Sequence, residues 1–259
     1  MNFFGAIGQS ILKFLQALGF ASLFLFQALF TKPRLKSFHL LLKQFYVVGV
    51  LSLPIIIFAS FFVGMVLALQ GYTVMVKFGA ESALGQLIAL SLVRELGPVL
   101  GGLLFAGRAC SALTAEIALL KTTEQLDSLR LLGVDPIHRI IAPRLWAGFI
   151  CLPMLVIIFN AVAIYGGYWV SVDWLGIDSG SFWSSMQSSV NYREDIINGV
   201  IKSIVFALAV TWIAVYQGYV AMPTSEGIGY ATTRTVVYSS LVILALDFIL
   251  TAVMFTGLK

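Results

Sequence analysis

Six ionisable residues, Arg94, Glu95, Arg108, Glu116, Lys202 and Asp247, stand inside or beside long apolar runs of a 259-residue chain. An isolated charge at mid-bilayer costs about 2.5–3.5 kcal/mol on insertion scales, so such groups face protein or water rather than lipid. Two chemistries suit them. Cations such as Arg94 and Lys202, both in the same half of their apolar runs, suit an anionic head group in a shared cavity. The other use is structural, as buried ion pairs such as Lys202–Glu95 or Asp247–Arg108. Arg94 and Glu95 are neighbours, so on a helix they diverge by about 100° and need not pair with each other. Catalytic chemistry is not expected. There is no G-x-x-x-x-G-K-[ST] phosphate loop and no G-x-S-x-G elbow. His39 and His138 are isolated and no His/Cys/Asp cluster has metal spacing, so neither a catalytic set nor a metal site is foreseen.

The elements that position these charges follow from composition. The chain is 59% hydrophobic and only 11% charged, with a mean hydropathy of +0.96, which marks an integral membrane protein. Apolar windows of spanning length occur at residues 45–76, 84–118, 145–170, 199–222 and 236–256. They are continuous rather than alternating with period two, so helices are expected rather than a barrel. Cys110 and Cys151 lie in apolar runs and imply no disulfide framework.

Charge sets the expected orientation. Lys13, Lys32, Arg34, Lys36 and Lys43 precede the first window; Lys121, Arg130, Arg139 and Arg144 lie between the second and third, and Arg234 before the fifth. The alternate loops and the C-terminus carry Lys77, Arg193 and Lys259. The positive-inside rule makes the first set cytoplasmic, with the C-terminus on the far side. Residues 3–30 form a sixth, amphipathic run. Gln9, Lys13 and Gln16 share one face, while Phe3, Phe4, Ile7, Ile11, Phe14, Leu15 and Leu18 cover the rest. This favours a helix in the membrane interface over a sixth span or a signal anchor.

Two features stand out between the windows. The second window, if helical throughout, is about 50 Å long, so it must tilt, kink or break at Pro98, or project from the membrane. Behind it Gly97, Gly101, Gly102, Ala106, Gly107 and Ala109 form a small-residue surface for close helix contact. The stretch "KTTEQLDSLRLLGVDPIHR" then predicts a short helix, N-capped by Thr122 or Thr123 with Glu124 in its first turn and stopped by Gly133. Leu126, Leu129 and Leu132 give it one apolar face; Glu124, Asp127 and Arg130 take another. That face docks either on the membrane surface or in a groove of a partner protein.

The run "LSLVRELGPVLGGLLFAGRACSALTAEIALLKTTEQLDSLRLLGVDP", followed by "IAPRLWAG", "GIDSGSFWSSMQ" and "ATTRTVVYSSLVILALDFILTA", closely resembles the MlaE permease family. That family comprises the permease subunits of Mla-type phospholipid ABC transporters and their plant-chloroplast lipid-permease relatives. The resemblance covers essentially the whole chain. It implies a single permease domain over 1–259, with an interfacial helix and basic cytoplasmic segment in 1–43 and a transmembrane bundle in 44–259. The fold expected is all-α: an N-terminal interfacial helix, five transmembrane helices, and a short cytoplasmic coupling helix between the second and third spans. It further implies a homodimer in the inner membrane of a Gram-negative bacterium, with the N-terminus cytoplasmic and the C-terminus periplasmic. The implied partners are a cytoplasmic ATPase carrying ATP and Mg, a periplasmic hexameric MCE-domain lipid carrier and a small STAS-type subunit on the ATPase. No cofactor in this chain and no nucleic acid are implied.

By the same resemblance a phospholipid lies between two copies, lined by Leu67, Gln70, Tyr72, Val74, Met75 and Phe78. Arg94, Glu95, Lys202 and Asp247 match polar positions of that cavity or its vicinity. Phe78 replaces a tyrosine found in relatives and forgoes a hydroxyl contact. Glu124, Leu126, Asp127, Leu129, Arg130 and Leu132 fall on the implied coupling segment. The implied role is glycerophospholipid movement between inner and outer membranes, which maintains outer-membrane lipid asymmetry. A secondary transporter or channel with the intramembrane charges as an ion relay is the competing reading. The want of an inverted repeat argues against it, and the want of a catalytic set argues against a lipid enzyme.

Overall fold

A computed structural model describes residue 16 and residues 19–28 and 38–256. Five helical stretches are long and apolar enough to cross a membrane: His39–Phe78, Glu81–Thr122, Ile137–Trp174, Tyr192–Val220 and Ser225–Met254. They cover all five windows read from the sequence, and among the described residues there is no strand. A shorter apolar helix, α1 (Gly19–Ala28), precedes them.

α1 buries Phe24 and Ala28 and accepts a hydrogen bond from Trp212 Nε1 at the Ala21 carbonyl (3.1 Å). Phe24 also meets Tyr216 and Tyr219 of the fourth span, at 6.1 and 5.0 Å between ring centroids. Gln16 is exposed. Gln9, Lys13 and the apolar residues from Phe3 to Leu18 that carry the amphipathic argument lie outside the described residues.

The first span is built from α2 (Phe38–Val48), a tight turn at Val50–Ser52 and α3 (Leu53–Met75). Pro54 has no N–H to give to the Val50 carbonyl, which the Leu53 N–H takes instead. Along α3 the buried residues Ile56, Ser60, Gly64, Ala68 and Gly71 recur every three or four positions. They meet α8 (Ala142–Trp169), the body of the third span. Here the backbones touch: a Cβ at Gly64 would lie 1.8 Å from the Ala163 carbonyl oxygen, and one at Gly166 would lie 2.5 Å from that of Phe61. Small residues give spans in lipid this close approach.

The second span is continuous across Pro98, over Glu81–Thr122. It runs through α4 (Leu84–Ser91), a π turn at Leu92–Leu96, α5 (Gly97–Phe105), a second π turn at Ala106–Cys110 and α6 (Ser111–Thr122). Pro98 cannot bond the Arg94 carbonyl, and the widened turn answers this, with the Gly97 N–H reaching Leu92. Gly97 itself packs on Asn160 and Gly101 on Val156, so the small-residue surface does meet another span.

α10 (Ile197–Val220) packs against α8, α6, α5 and α11 (Ser225–Thr256). Around it sits the core of Phe105, Leu113, Leu152, Phe159, Phe206 and Ile243. A second apolar cluster of Phe24, Ile117, Leu126, Ile141, Leu145 and Val215 closes the end that carries Lys121, Arg130, Arg139 and Arg144, called below the basic end. At the opposite end α9 (Ser179–Ser189) caps the bundle. Sequence reading placed no helix there, although Asp178 is a plain N-cap signal: its carboxylate accepts from the Ser181 N–H at 2.8 Å.

Candidate functional site

The intramembrane charges assemble by way of the second span. Lys202, on α10, is only 2% exposed. Its ammonium donates to Glu95 Oε2 at 2.7 Å, Asp247 Oδ1 at 3.0 Å and Thr251 Oγ1 at 2.7 Å. An ammonium has three donors, and all three are taken. The cluster therefore clamps the second, fourth and fifth spans together and holds two carboxylates against one cation. Thr251 was missed by sequence reasoning. Its signal is the spacing Asp247-x-x-x-Thr251, which stacks both side chains on one face of α11.

Arg94 diverges from Glu95 as expected, and its Nε meets Asp195. Asp195 is fully buried and also accepts from the Asn191 N–H at 2.7 Å. Asp195 and Lys202 lie seven residues apart, two turns along one helical run. The adjacent pair Arg94–Glu95 thus meets an acid and a base in turn on the same neighbouring helix. Sequence reading did not single out Asp195.

Arg108 does not pair with Asp247, which Lys202 holds instead. It turns to the junction of α2 and α3, donating to the Val47 carbonyl (2.7 Å) and Ser52 Oγ (3.1 Å). Glu116 pairs with Arg144 Nη2 at 3.2 Å.

The first-span residues are placed elsewhere. Leu67 and Tyr72 pack partly into the core, Met75 is half-buried, and Gln70, Val74 and Phe78 are exposed, Phe78 at 77%. α3 packs on α8 and α4, whereas Lys202 and Asp247 belong to α10 and α11. Within one chain, cavities of 870, 460 and 170 Å³ are lined by none of these six residues and none of Arg94, Glu95, Lys202 or Asp247. A single chain does not bring the two sets into one of these cavities.

The helix between the second and third spans is α7 (Gln125–Leu131), shorter than the expected 122–133. Thr122 and Thr123 do not cap it. α6 runs on to Thr122, and their hydroxyls bond back to the Ala118 and Leu119 carbonyls, both at 2.9 Å. Glu124 takes the N-cap place with a left-handed φ of 57°. Gly133 (φ +72°) ends the helix as expected. Its N–H reaches Arg130 (3.0 Å) and that of Val134 reaches Leu129 (2.9 Å), a Schellman closure.

The apolar face is split. Leu126 is buried and Leu129 packs against the same cluster, but Leu132 falls in the closing turn and is 77% exposed, beside Leu131 at 90%. Asp127 pairs with Arg130 at 2.9 Å, and Arg130 also reaches the Tyr219 hydroxyl. α7 is thus seated on the chain itself and offers Glu124, Asp127, Leu131 and Leu132 outward. Among the described residues no three of His, Cys, Asp and Glu are grouped to hold a metal, and Cys110 and Cys151 are buried free thiols.

Five apolar spans, a buried charge clamp and an outward two-turn helix at the basic end define a multi-pass helical membrane protein. The family model described as Permease MlaE matches residues 41–253. The chain is 61% identical over 256 residues to the "intermembrane phospholipid transport system permease protein MlaE" of Haemophilus influenzae, covering 98% of each chain. It is 39% identical to a probable ABC transporter permease protein of Rickettsia typhi, again over 98% of each. A probable ABC transporter permease protein of Synechocystis is 36% identical, over 83% of this chain and 82% of the relative. The chain belongs to the MlaE permease family.

Proposed function

We propose that this chain is the membrane permease subunit of an ABC transporter that moves glycerophospholipid between the inner and outer membranes. ATP and Mg would bind on a separate ATPase subunit, and this chain supplies no catalytic residue. The observation that carries the reading is family membership, with a relative 61% identical over nearly the whole chain whose printed name gives intermembrane phospholipid transport. Two features of the geometry support it. α7 presents exposed Leu131 and Leu132 beside Asp127 at the basic end, a small contact for a partner in the compartment that end faces. By the positive-inside rule that compartment is the cytoplasm, which puts the C-terminus in the periplasm.

The lipid site in this reading lies between two copies. Gln70 and Val74 on α3 and Phe78 in the turn that follows it are exposed, where a second copy and a lipid would cover them, and Arg94 borders the same half of the bundle. Glu95, Lys202 and Asp247 brace the wall rather than touch phosphate, because every Lys202 donor is already used. An MCE-domain ring outside and a STAS-type subunit on the ATPase complete the assembly. The ion-relay reading has no comparable support, since the family and the relatives named above are phospholipid and ABC transporter permeases.

The test is co-purification. Expressed with its genomic neighbours, the chain is expected to bring down a protein bearing a phosphate loop and to retain phospholipid. A chain that purifies alone and conducts ions in liposomes without ATP would overturn the proposal.

A further inference from the structure

At the basic end, α2, α6, α7 and the start of the third span border a cavity of about 460 Å³, within the size range of small-ligand sites. Its wall is divided by chemistry. Lys43, Arg139 and Arg144 line it with one acid, Glu116; Leu40, Val47, Leu119 and Ile140 supply apolar surface. Two of its lining residues carry a polar atom that is closed off from the cavity and without a partner: Arg144 Nε, a donor, and Gln44 Oε1, an acceptor. Gln44 is only 8% exposed. The rest of Arg144 is committed, to the Ile140 carbonyl at 3.1 Å and to Glu116 at 3.2 Å. Buried polar groups are nearly always satisfied, so an unpaired donor and an unpaired acceptor behind one cavity wall favour an occupant toward which both side chains can turn.

We infer that this cavity holds the head group of a glycerophospholipid from the leaflet at the basic end. Its phosphate diester meets Lys43 and Arg139, with Arg144 turning its Nε toward it, and its ammonium or hydroxyl draws the Gln44 amide oxygen round to accept. Phosphate suits such a cationic set through charge-assisted hydrogen bonds. The surroundings favour a lipid over a soluble anion. The first span, 40 residues long, reaches about 60 Å, so α2 extends past a hydrocarbon core of about 30 Å. α2 also exposes Leu42 and Tyr46, residues suited to the head-group layer. This site is at the other end of the bundle from Phe78, so its failure would leave the proposed transport cavity untouched.

The test places a photo-reactive benzoylphenylalanine at Leu119 in the full chain, reconstituted in nanodiscs of phosphatidylethanolamine and phosphatidylglycerol. After irradiation the intact mass is expected to show a phospholipid adduct. The pair Lys43→Gln with Arg139→Gln should lower its yield about tenfold, the loss of two charge-assisted contacts, while the same probe at exposed Leu241 is unaffected. Gln44→Leu, neutral and of similar volume, should lower it too, which diffuse attraction to anionic lipid would not do. Equal yield in both variants overturns the site. So does an intact mass without any phospholipid adduct, or a protein adduct when the probe is irradiated in cells.

Discussion

Replacing Lys202 by methionine would leave the carboxylates of Glu95 and Asp247 facing each other without the ammonium that now bonds both, at 2.7 and 3.0 Å. Thr251 would lose its 2.7 Å donor as well. Lys202 is almost wholly buried and joins three spans, while the carboxylates it would strand are 36% (Glu95) and 22% (Asp247) exposed. Breaking a fully buried pair costs about 3–5 kcal/mol; with water reaching both acids, about 2–3 kcal/mol is expected, a melting shift of about 4–12 °C in a chain of this size. The triple variant Lys202→Met/Glu95→Gln/Asp247→Asn removes the stranded charges and should recover most of that loss. The assay is thermal unfolding of the detergent-purified full chain, followed by size-exclusion of the soluble fraction, with bound phospholipid counted on the same sample. A Lys202→Met chain as stable as the parent would refute the clamp. A stable chain that had lost its lipid would show instead that Lys202 serves the head group directly.

Two further outcomes follow from packing and exposure. Gly64→Val should prevent the first and third spans from closing, because its Cβ would lie 1.8 Å from the Ala163 carbonyl oxygen; overpacking costs about 1–3 kcal/mol or more, read as a lower melting temperature than for Gly229→Ala, whose Cβ meets nothing within 4 Å. Leu131→Ser with Leu132→Ser should leave melting unchanged, since both are exposed, yet reduce recovery of the ATPase subunit severalfold in pull-downs. Full recovery would remove α7 from the contact.

What the sequence made legible was set by short-range physics. Five spans could be read because burying 20 or so apolar residues in lipid leaves the helix as the only single-segment solution. Gly133 could be read as a stop because a left-handed residue there favours glycine. The beginning of α7 could not: Thr122 and Thr123 suit a cap, but threonine hydroxyls in a helix bond the preceding turn equally well, and here they do. Pro98 pointed to a disturbance without giving its form, since a widened turn and a kink both relieve the lost bond. Partner choice among the charges was the least legible part. Lys202–Glu95 was one of two pairs weighed, but Asp247 goes to Lys202, and Asp195 was unseen because its role exists only once the fourth span lies beside the second. Neither the first-span residues nor the charge clamp line the three cavities among the described residues, so the proposed union of the two sets rests on a second copy.

The most direct measurement is the phospholipid content of the purified assembly, made with its genomic neighbours, before and after ATP. The account predicts a phosphate-loop ATPase in the assembly, phospholipid bound to this chain, and a change in that lipid on adding ATP that a hydrolysis-deficient ATPase abolishes. Lipid content that ignores ATP in an assembly that hydrolyses it would contradict the account.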